Sequence, residues 1–137
     1  MAQGDRTTGD GSPPGRITAV RGSVVEVAFA DGLPAINEAL RLSLGGRPIT
    51  LEVAHHVDPR TVRAIAMAPT EGLARGMEVA RTGRPITVPV GLPTLGRLFD
   101  VLGEPLDGQG PTAGAERWPI HRAAPSLADQ RRGVEFL

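Results

Sequence analysis

Short runs rich in Ile and Val, interrupted every few residues by Gly, Pro or Asp, follow one another from Arg16 to Val90. This pattern is typical of small antiparallel strands joined by tight turns. Within one run, Val25, Val27 and Phe29 share a face opposite Glu26, as expected of a strand with one buried side. The predicted strands are residues 16–21, 23–29, 49–56, 61–67, 77–80 and 86–90.

The number and shortness of these strands favour a barrel. Five or six such strands have too little area for a two-sheet sandwich, whereas closure removes the sheet edges that would otherwise aggregate. The sequence therefore predicts a mainly β chain whose residues 16–84 form a small closed antiparallel barrel. Residues 57–60 read as a hairpin turn between two of its strands. Residues 1–15, rich in Gly and Pro with little to bury, read as a disordered lead.

After the barrel the pattern changes. Residues 94–102 predict a short helix, because Leu95, Leu98, Phe99 and Leu102 recur at helical spacing. Thr94 is the expected N-cap of this helix, and the glycine at position 103 its stop. Residues 104–125 are dense in Pro and Gly without periodicity and read as an irregular segment.

Composition excludes several kinds of chemistry. All 15 basic residues are Arg, and Cys is absent, so neither the Lys of a phosphate-binding P-loop nor a thiolate nucleophile can be supplied by these residues. The formal net charge of zero argues against a dedicated nucleic-acid binder. No run approaches the roughly 18 apolar residues of a membrane span, and the polar start lacks the order of a signal peptide. These features predict a cytoplasmic chain.

Two histidine-containing segments are candidates for a site. His55 and His56 with Asp58 could suggest a metal, but neighbouring side chains on a strand point to opposite faces, which favours a structural role. His121 has no identifiable orienting carboxylate nearby in sequence and reads as a loop or interface residue.

The remaining polar clusters also favour structural roles. Three carboxylates near the predicted helix end favour turn hydrogen bonds over an acid/base pair. The glycines that follow have the wrong spacing for a dinucleotide fingerprint, and two adjacent arginines read as a solvated face. We therefore predict no catalytic, cofactor-binding or metal residue in the chain. The three carboxylates are Asp100, Glu104 and Asp107, the glycines are Gly108, Gly110 and Gly114, and the two arginines are Arg131 and Arg132.

Several longer motifs occur in one order. They are VRAIAM at residues 62–67, EGLARG at 71–76, ITVPVG at 86–91, TLGR at 94–97, VLGEPLD at 101–107 and RWPIHRAAP at 117–125. Together they resemble the catalytic beta subunit of F-type ATP synthases, over about residues 16–137. The Ile-His-Arg form within the last motif favours beta over the noncatalytic alpha subunit.

The resemblance implies an N-terminal barrel that joins five others in a ring on an alternating alpha/beta hexamer. It also implies that residues 85–137 are the truncated start of an α/β nucleotide-binding domain. The family's P-loop, catalytic Glu and magnesium-ligand region lie downstream of position 137, so no cofactor is expected in this segment, while the parent would bind Mg-ATP and ADP. Its implied partners are alpha subunits directly, and the central stalk and membrane sector through the parent. The implied location is cytoplasmic, peripheral on the inner face of the cell membrane, without direct membrane insertion.

Two other readings stay open. A stand-alone barrel could bind RNA or single-stranded DNA, although such surfaces stack bases on aromatic side chains in a basic groove and this chain is neutral with few aromatics. A noncatalytic protein could also occupy a ring position. The parent's coupling ion, proton or sodium, is not set by these residues.

Overall fold

The computed structural model describes residues 11–128 and contains a closed barrel of six antiparallel strands in the order β1-β2-β5-β4-β3-β6. A separate two-stranded sheet pairs β7 with β8, and a single 3-10 turn, Leu92–Thr94, follows β7. The strands are β1 Gly15–Arg21, β2 Val24–Ala28, β3 Glu38–Leu44, β4 Arg47–Asp58, β5 Thr61–Ala66, β6 Glu78–Pro85, β7 Thr87–Val90 and β8 Glu116–Pro119.

Tight turns set the register of the barrel hairpins. Leu44 pairs with Arg47 across Gly45 and Gly46, which both have positive φ, 57° and 81°. Two positive φ angles in a two-residue loop match the right-handed twist of the flanking strands. In the next hairpin the Arg60 amide donates to Asp58 Oδ1 at 2.8 Å, so the turn predicted at residues 57–60 is confirmed.

The barrel encloses one apolar core. Alternate side chains of its strands point inward, and the outward positions carry the charged and hydroxyl groups. Because every strand has two neighbours, the closed sheet leaves no unpaired edge in the barrel. The buried cluster consists of Ile17, Val25, Val27, Phe29, Leu40, Leu42, Ile49, Leu51, Val53, Val62, Ala64 and Val79.

The predicted mainly β chain with a small closed antiparallel barrel is confirmed. One barrel strand, β3, has no counterpart among the predicted strands, and β6 runs to Pro85, beyond the predicted 77–80. The first strand begins at Gly15, one residue before the predicted start. Residues 1–10 of the predicted disordered lead lie outside the described residues, as do Arg131 and Arg132.

The helix predicted over residues 94–102 is wrong. Thr94 is the last residue of the 3-10 turn, and its hydroxyl donates to the Gly91 carbonyl at 2.7 Å instead of capping a helix. Gly96 has φ of 70°, outside the helical region, and Phe99 then forms an antiparallel bridge with Pro105. The apolar spacing in this segment is therefore not the buried face of a helix.

No helix within residues 11–128 is long and apolar enough to cross a membrane.

Candidate functional site

The segment after the barrel exposes a row of large apolar side chains between residues 92 and 106. Their exposed fractions run from 59 to 83%. Apolar side chains concentrated in this way on a soluble surface mark a site of protein contact more often than scattered ones do. The side chains are Leu92, Leu95, Leu98, Val101 and Leu106.

An arginine and an aspartate hold this apolar segment in shape. Arg97 Nη2 donates to Asp107 Oδ1 at 3.0 Å and to the Gly110 carbonyl at 2.6 Å. Asp107 also accepts the amides of Leu98 and Gln109. The hydrogen bond from Arg97, supported by the Gln109 amide, holds the pKa of Asp107 well below its usual range. The pair raises the pKa of Arg97 in turn.

The carboxylates singled out in the sequence therefore have different surroundings. Asp100 Oδ1 accepts the amides of Leu102 and Glu104, both at 2.9 Å. The turn role expected for Asp100 and Asp107 agrees with these bonds. Glu104 instead lines a cleft between this segment and the barrel.

The adjacent histidines lie on β4 where its pairing with β5 is irregular. His56 Nε2 lies 2.7 Å from the Pro34 carbonyl oxygen, a contact that ties β4 to the loop before β3. No group of three potential metal-ligating side chains occurs among residues 11–128.

His121 has a partner that sequence reasoning missed. Its Nε2 lies 3.0 Å from Glu52 Oε2 on β4, so the contact links the segment after β8 to the barrel wall. Beside it, the Arg122 guanidinium stacks 3.7 Å from the centroid of the Trp118 ring. Glu52 is far from His121 in sequence, and only the tertiary fold brings them together.

Glu38 is the second residue that sequence reasoning missed. It is 4% exposed, and its carboxylate accepts two hydrogen bonds from Arg81, both at 3.1 Å. It also accepts the amides of Ala35 and Gly83. A buried carboxylate satisfied by four hydrogen bonds fixes the loop before β3 to strand β6, where the chain leaves the barrel. The role of Glu38 is structural.

The described surface thus carries an exposed apolar row at residues 92–106. The best-defined carboxylates, Glu38, Asp100 and Asp107, bind backbone amides. The comparison with protein families decides what the barrel is: residues 17–83 match the model for the β-barrel domain of the ATP synthase alpha/beta family. Residues 17–83 are a barrel domain of that family. The matched range runs from Ile17 in β1 to Gly83 in β6.

The match over residues 17–83 supports the alpha/beta family expected from the sequence and does not distinguish the beta subunit. The closed six-stranded barrel of the structure covers the same residues as that match.

Proposed function

We propose that this chain is the N-terminal portion of an ATP synthase beta subunit and that its own role is assembly of the alpha/beta hexamer. The observation that carries the proposal is the family barrel at residues 17–83, followed in order by the beta-like motifs at 86–91, 94–97, 101–107 and 117–125. The barrel would sit in a ring alternating with alpha-subunit barrels. Residues 85–137 would begin the nucleotide-binding domain.

In this proposal the catalytic activity belongs to the parent subunit. The parent would synthesise or hydrolyse ATP, coupled to proton or sodium transport, with Mg-ATP and ADP bound by its nucleotide domain. It would contact the central stalk and the membrane sector, on the inner face of the cell membrane. The chain contains no Lys, so it cannot supply the Lys of a P-loop itself.

The exposed apolar row supports a role in contact. Residues 92–106 are shaped by the Arg97–Asp107 pair but leave their large apolar side chains uncovered within the described part of the chain. A surface segment whose backbone is held by hydrogen bonds while its large side chains stay exposed fits a packing partner. In the proposed parent, the nucleotide-binding domain would supply it.

Nucleic-acid binding is the alternative from another class. Of the described aromatic rings, Phe29 is buried in the barrel core, while Arg97 and Arg122 lie against Phe99 and Trp118. Few ring faces are left for stacking bases, which argues against this alternative. A noncatalytic ring protein would share the same barrel contacts and differ only in its downstream sequence.

A pair of titrations tests the proposal. The purified chain is mixed with an alpha subunit, and separately with a single-stranded DNA or RNA oligonucleotide, and complex formation is followed by sedimentation. We expect a weak but saturable complex with alpha, because one barrel flank buries little area, and no saturable complex with the oligonucleotide at micromolar concentration. Tight oligonucleotide binding without any alpha complex would replace the assembly role with the nucleic-acid alternative.

A further inference from the structure

A cleft of about 390 Å³ lies between the outer wall of the barrel and the segment that follows it. One side consists of outward-facing positions of β3, β4 and β6, and the other of β7, β8 and the turn around Glu104. Its volume falls within the range of small-molecule sites.

Three arginines from three different strands line this cleft: Arg41 of β3, Arg84 of β6 and Arg117 of β8. Within residues 11–128 the side chains of Arg41 and Arg84 make no hydrogen bond or ion pair. Arg117 is oriented by Thr87, donating to its hydroxyl at 3.2 Å and to its carbonyl at 2.7 Å. The fold thus brings guanidinium groups far apart in sequence to one cavity.

The nearby carboxylates do not balance this charge. Glu104 is the one acidic residue in the cleft lining formed by the described residues. Glu38 is bonded to Arg81, and Glu52 contacts His121. Three arginines against one acidic residue give the cleft lining a net positive charge, although the whole chain is neutral. Guanidinium groups recognise phosphate and carboxylate oxygens through charge-assisted hydrogen bonds.

The rest of the lining is mixed. Thr50 lies on the barrel side, and the apolar residues Pro48, Pro85, Ile86 and Leu102 also line the cleft. An ion such as phosphate would use the arginines but not these apolar walls. A ligand with both an oxyanion and an apolar body would use both.

We propose that this cleft binds a small organic phosphate, with Arg41 and Arg84 as the principal contacts of the phosphate group and Arg117 as a third. The apolar body of the ligand would lie against Ile86 and Leu102. The exposed side chains of the apolar row, from Leu92 to Leu106, are not part of the cleft lining, and the proposed assembly role does not depend on a ligand in the cleft. Its occupant would bridge the barrel and the following segment.

The test uses the 137-residue chain with phenyl phosphate as probe, and backbone amide shifts are followed by NMR. We expect saturable shifts at Arg41, Thr50, Thr82 and Thr87, with inorganic phosphate binding at least fivefold more weakly. The double variant Arg41→Gln/Arg84→Gln should weaken binding of phenyl phosphate by at least tenfold, because removal of a charge-assisted hydrogen bond reduces affinity by about that factor.

Arg60→Gln is the matched control, because Arg60 is an exposed arginine in the β4–β5 turn and lies outside the cleft lining. It should weaken binding by less than twofold, and unchanged dispersion of core methyl signals in every variant shows that the barrel is folded. Scattered, non-saturating shifts, or equal losses of affinity in Arg60→Gln, would overturn the proposal as general charge attraction. Equal affinity for inorganic phosphate would overturn the organic part. Tighter binding of a Glu-rich peptide at the same amides would make the cleft a protein-docking site instead.

Discussion

At the scale of single residues, the best-defined carboxylates of this chain accept hydrogen bonds from backbone amides and so fix the positions of loops. Glu38 joins two segments through Arg81 and the amides of Ala35 and Gly83. Removing the carboxylate of a buried ion pair is costly, because the backbone amides of Ala35 and Gly83 and the Arg81 guanidinium all lose that acceptor. Exposed pairs contribute far less.

Glu38→Ala should therefore lower the free energy of unfolding by about 3 kcal/mol. The matched control is Glu78→Ala, which removes a carboxylate that pairs with Arg16 while both side chains are at least 60% exposed. That change should cost less than about 1 kcal/mol. Urea denaturation of both variants checks this, and equal decreases in stability would contradict a structural role specific to Glu38.

The lowered pKa of Asp107 predicts how this residue ionises and contributes to stability at acidic pH. Its pKa is lowered chiefly by the hydrogen bond from Arg97, so its stabilising effect is present above the ordinary value of 3.8 and is lost as pH falls through the lower folded-state pKa. Carboxyl carbon shifts should show Asp107 still ionised at about pH 3. In Arg97→Gln its pKa should rise toward 3.8.

Asp58 serves as the control for that titration. Its pKa is also lowered, mainly by the Arg60 amide, and that bond is independent of Arg97. It should titrate identically in the wild type and in Arg97→Gln. An Asp107 titration that Arg97→Gln leaves unchanged would show that the arginine is not the cause of the shift.

At the scale of elements, turn chemistry and strand alternation are readable from the sequence, and tertiary pairing is not. The hairpin at Asp58 is predictable because a Pro after Asp presets the turn. Strand β3 escapes prediction because Glu38, Ala39 and the leucines that follow have weak β propensity, and burial in the barrel outweighs it. The helix predicted at residues 94–102 fails because helical spacing alone does not supply a buried face: Leu95 and Leu98 are exposed, and Phe99 and Leu102 are only half-buried.

The polar contacts could not be predicted either. The Glu52–His121 and Glu38–Arg81 contacts join residues far apart in the chain, which only the tertiary fold brings together. Arg97 and Asp107 are closer in sequence, but the predicted helix at residues 94–102 contains only Arg97 and so gives no reason to pair the two residues. The local sequence pattern thus predicts the class of fold, whereas the partners of its polar groups can be predicted only once the strand topology is known.

The turn that contains Gly103 packs tightly on β7. A side chain at this position should therefore destabilise the turn. A Cβ at Gly103 would lie 2.5 Å from Pro89 Cδ and 3.1 Å from Val88 Cα. Gly103→Ala should therefore loosen residues 98–107 and lower the free energy of unfolding of that segment by about 2 kcal/mol. Amide exchange at Leu102 and Leu106 measures it.

Gly108→Ala is the matched control for Gly103→Ala. Both glycines have similar positive φ, 77° and 71°, so both substitutions strain the backbone alike. A Cβ at Gly108 would meet nothing within 4 Å among the described residues. If both variants show the same decrease in protection, the close packing of the turn on β7 contributes nothing.

At the scale of the whole molecule, the barrel and the following segment differ in how much they bury. The barrel has a single core of buried side chains, whereas β7 and β8 form a sheet of two strands in which β8 is exposed throughout. A two-stranded sheet is marginally stable by itself. Stability should be uneven along the chain.

Native-state amide exchange tests this difference. Amides of Val25 and Leu51 in the barrel should exchange with the free energy of global unfolding measured in urea, and those of residues 103–128 at least a hundredfold faster. Equal protection of both regions would show that the segment is as stable without a partner as the barrel is. That result would contradict the proposal that the segment after the barrel requires a packing partner.

In the proposed function this barrel belongs in an alternating ring with alpha subunits, and competition during assembly measures that role most directly. Alpha and full-length beta subunits are mixed with increasing amounts of this chain, and the yield of hexamer is followed by sedimentation. Each barrel contact is small and the closed ring supplies avidity, so a large excess of the chain should be needed to reduce the yield, and the reduction should grow with its concentration. An unchanged yield, with the barrel shown to be folded by its amide exchange, would contradict the assembly role.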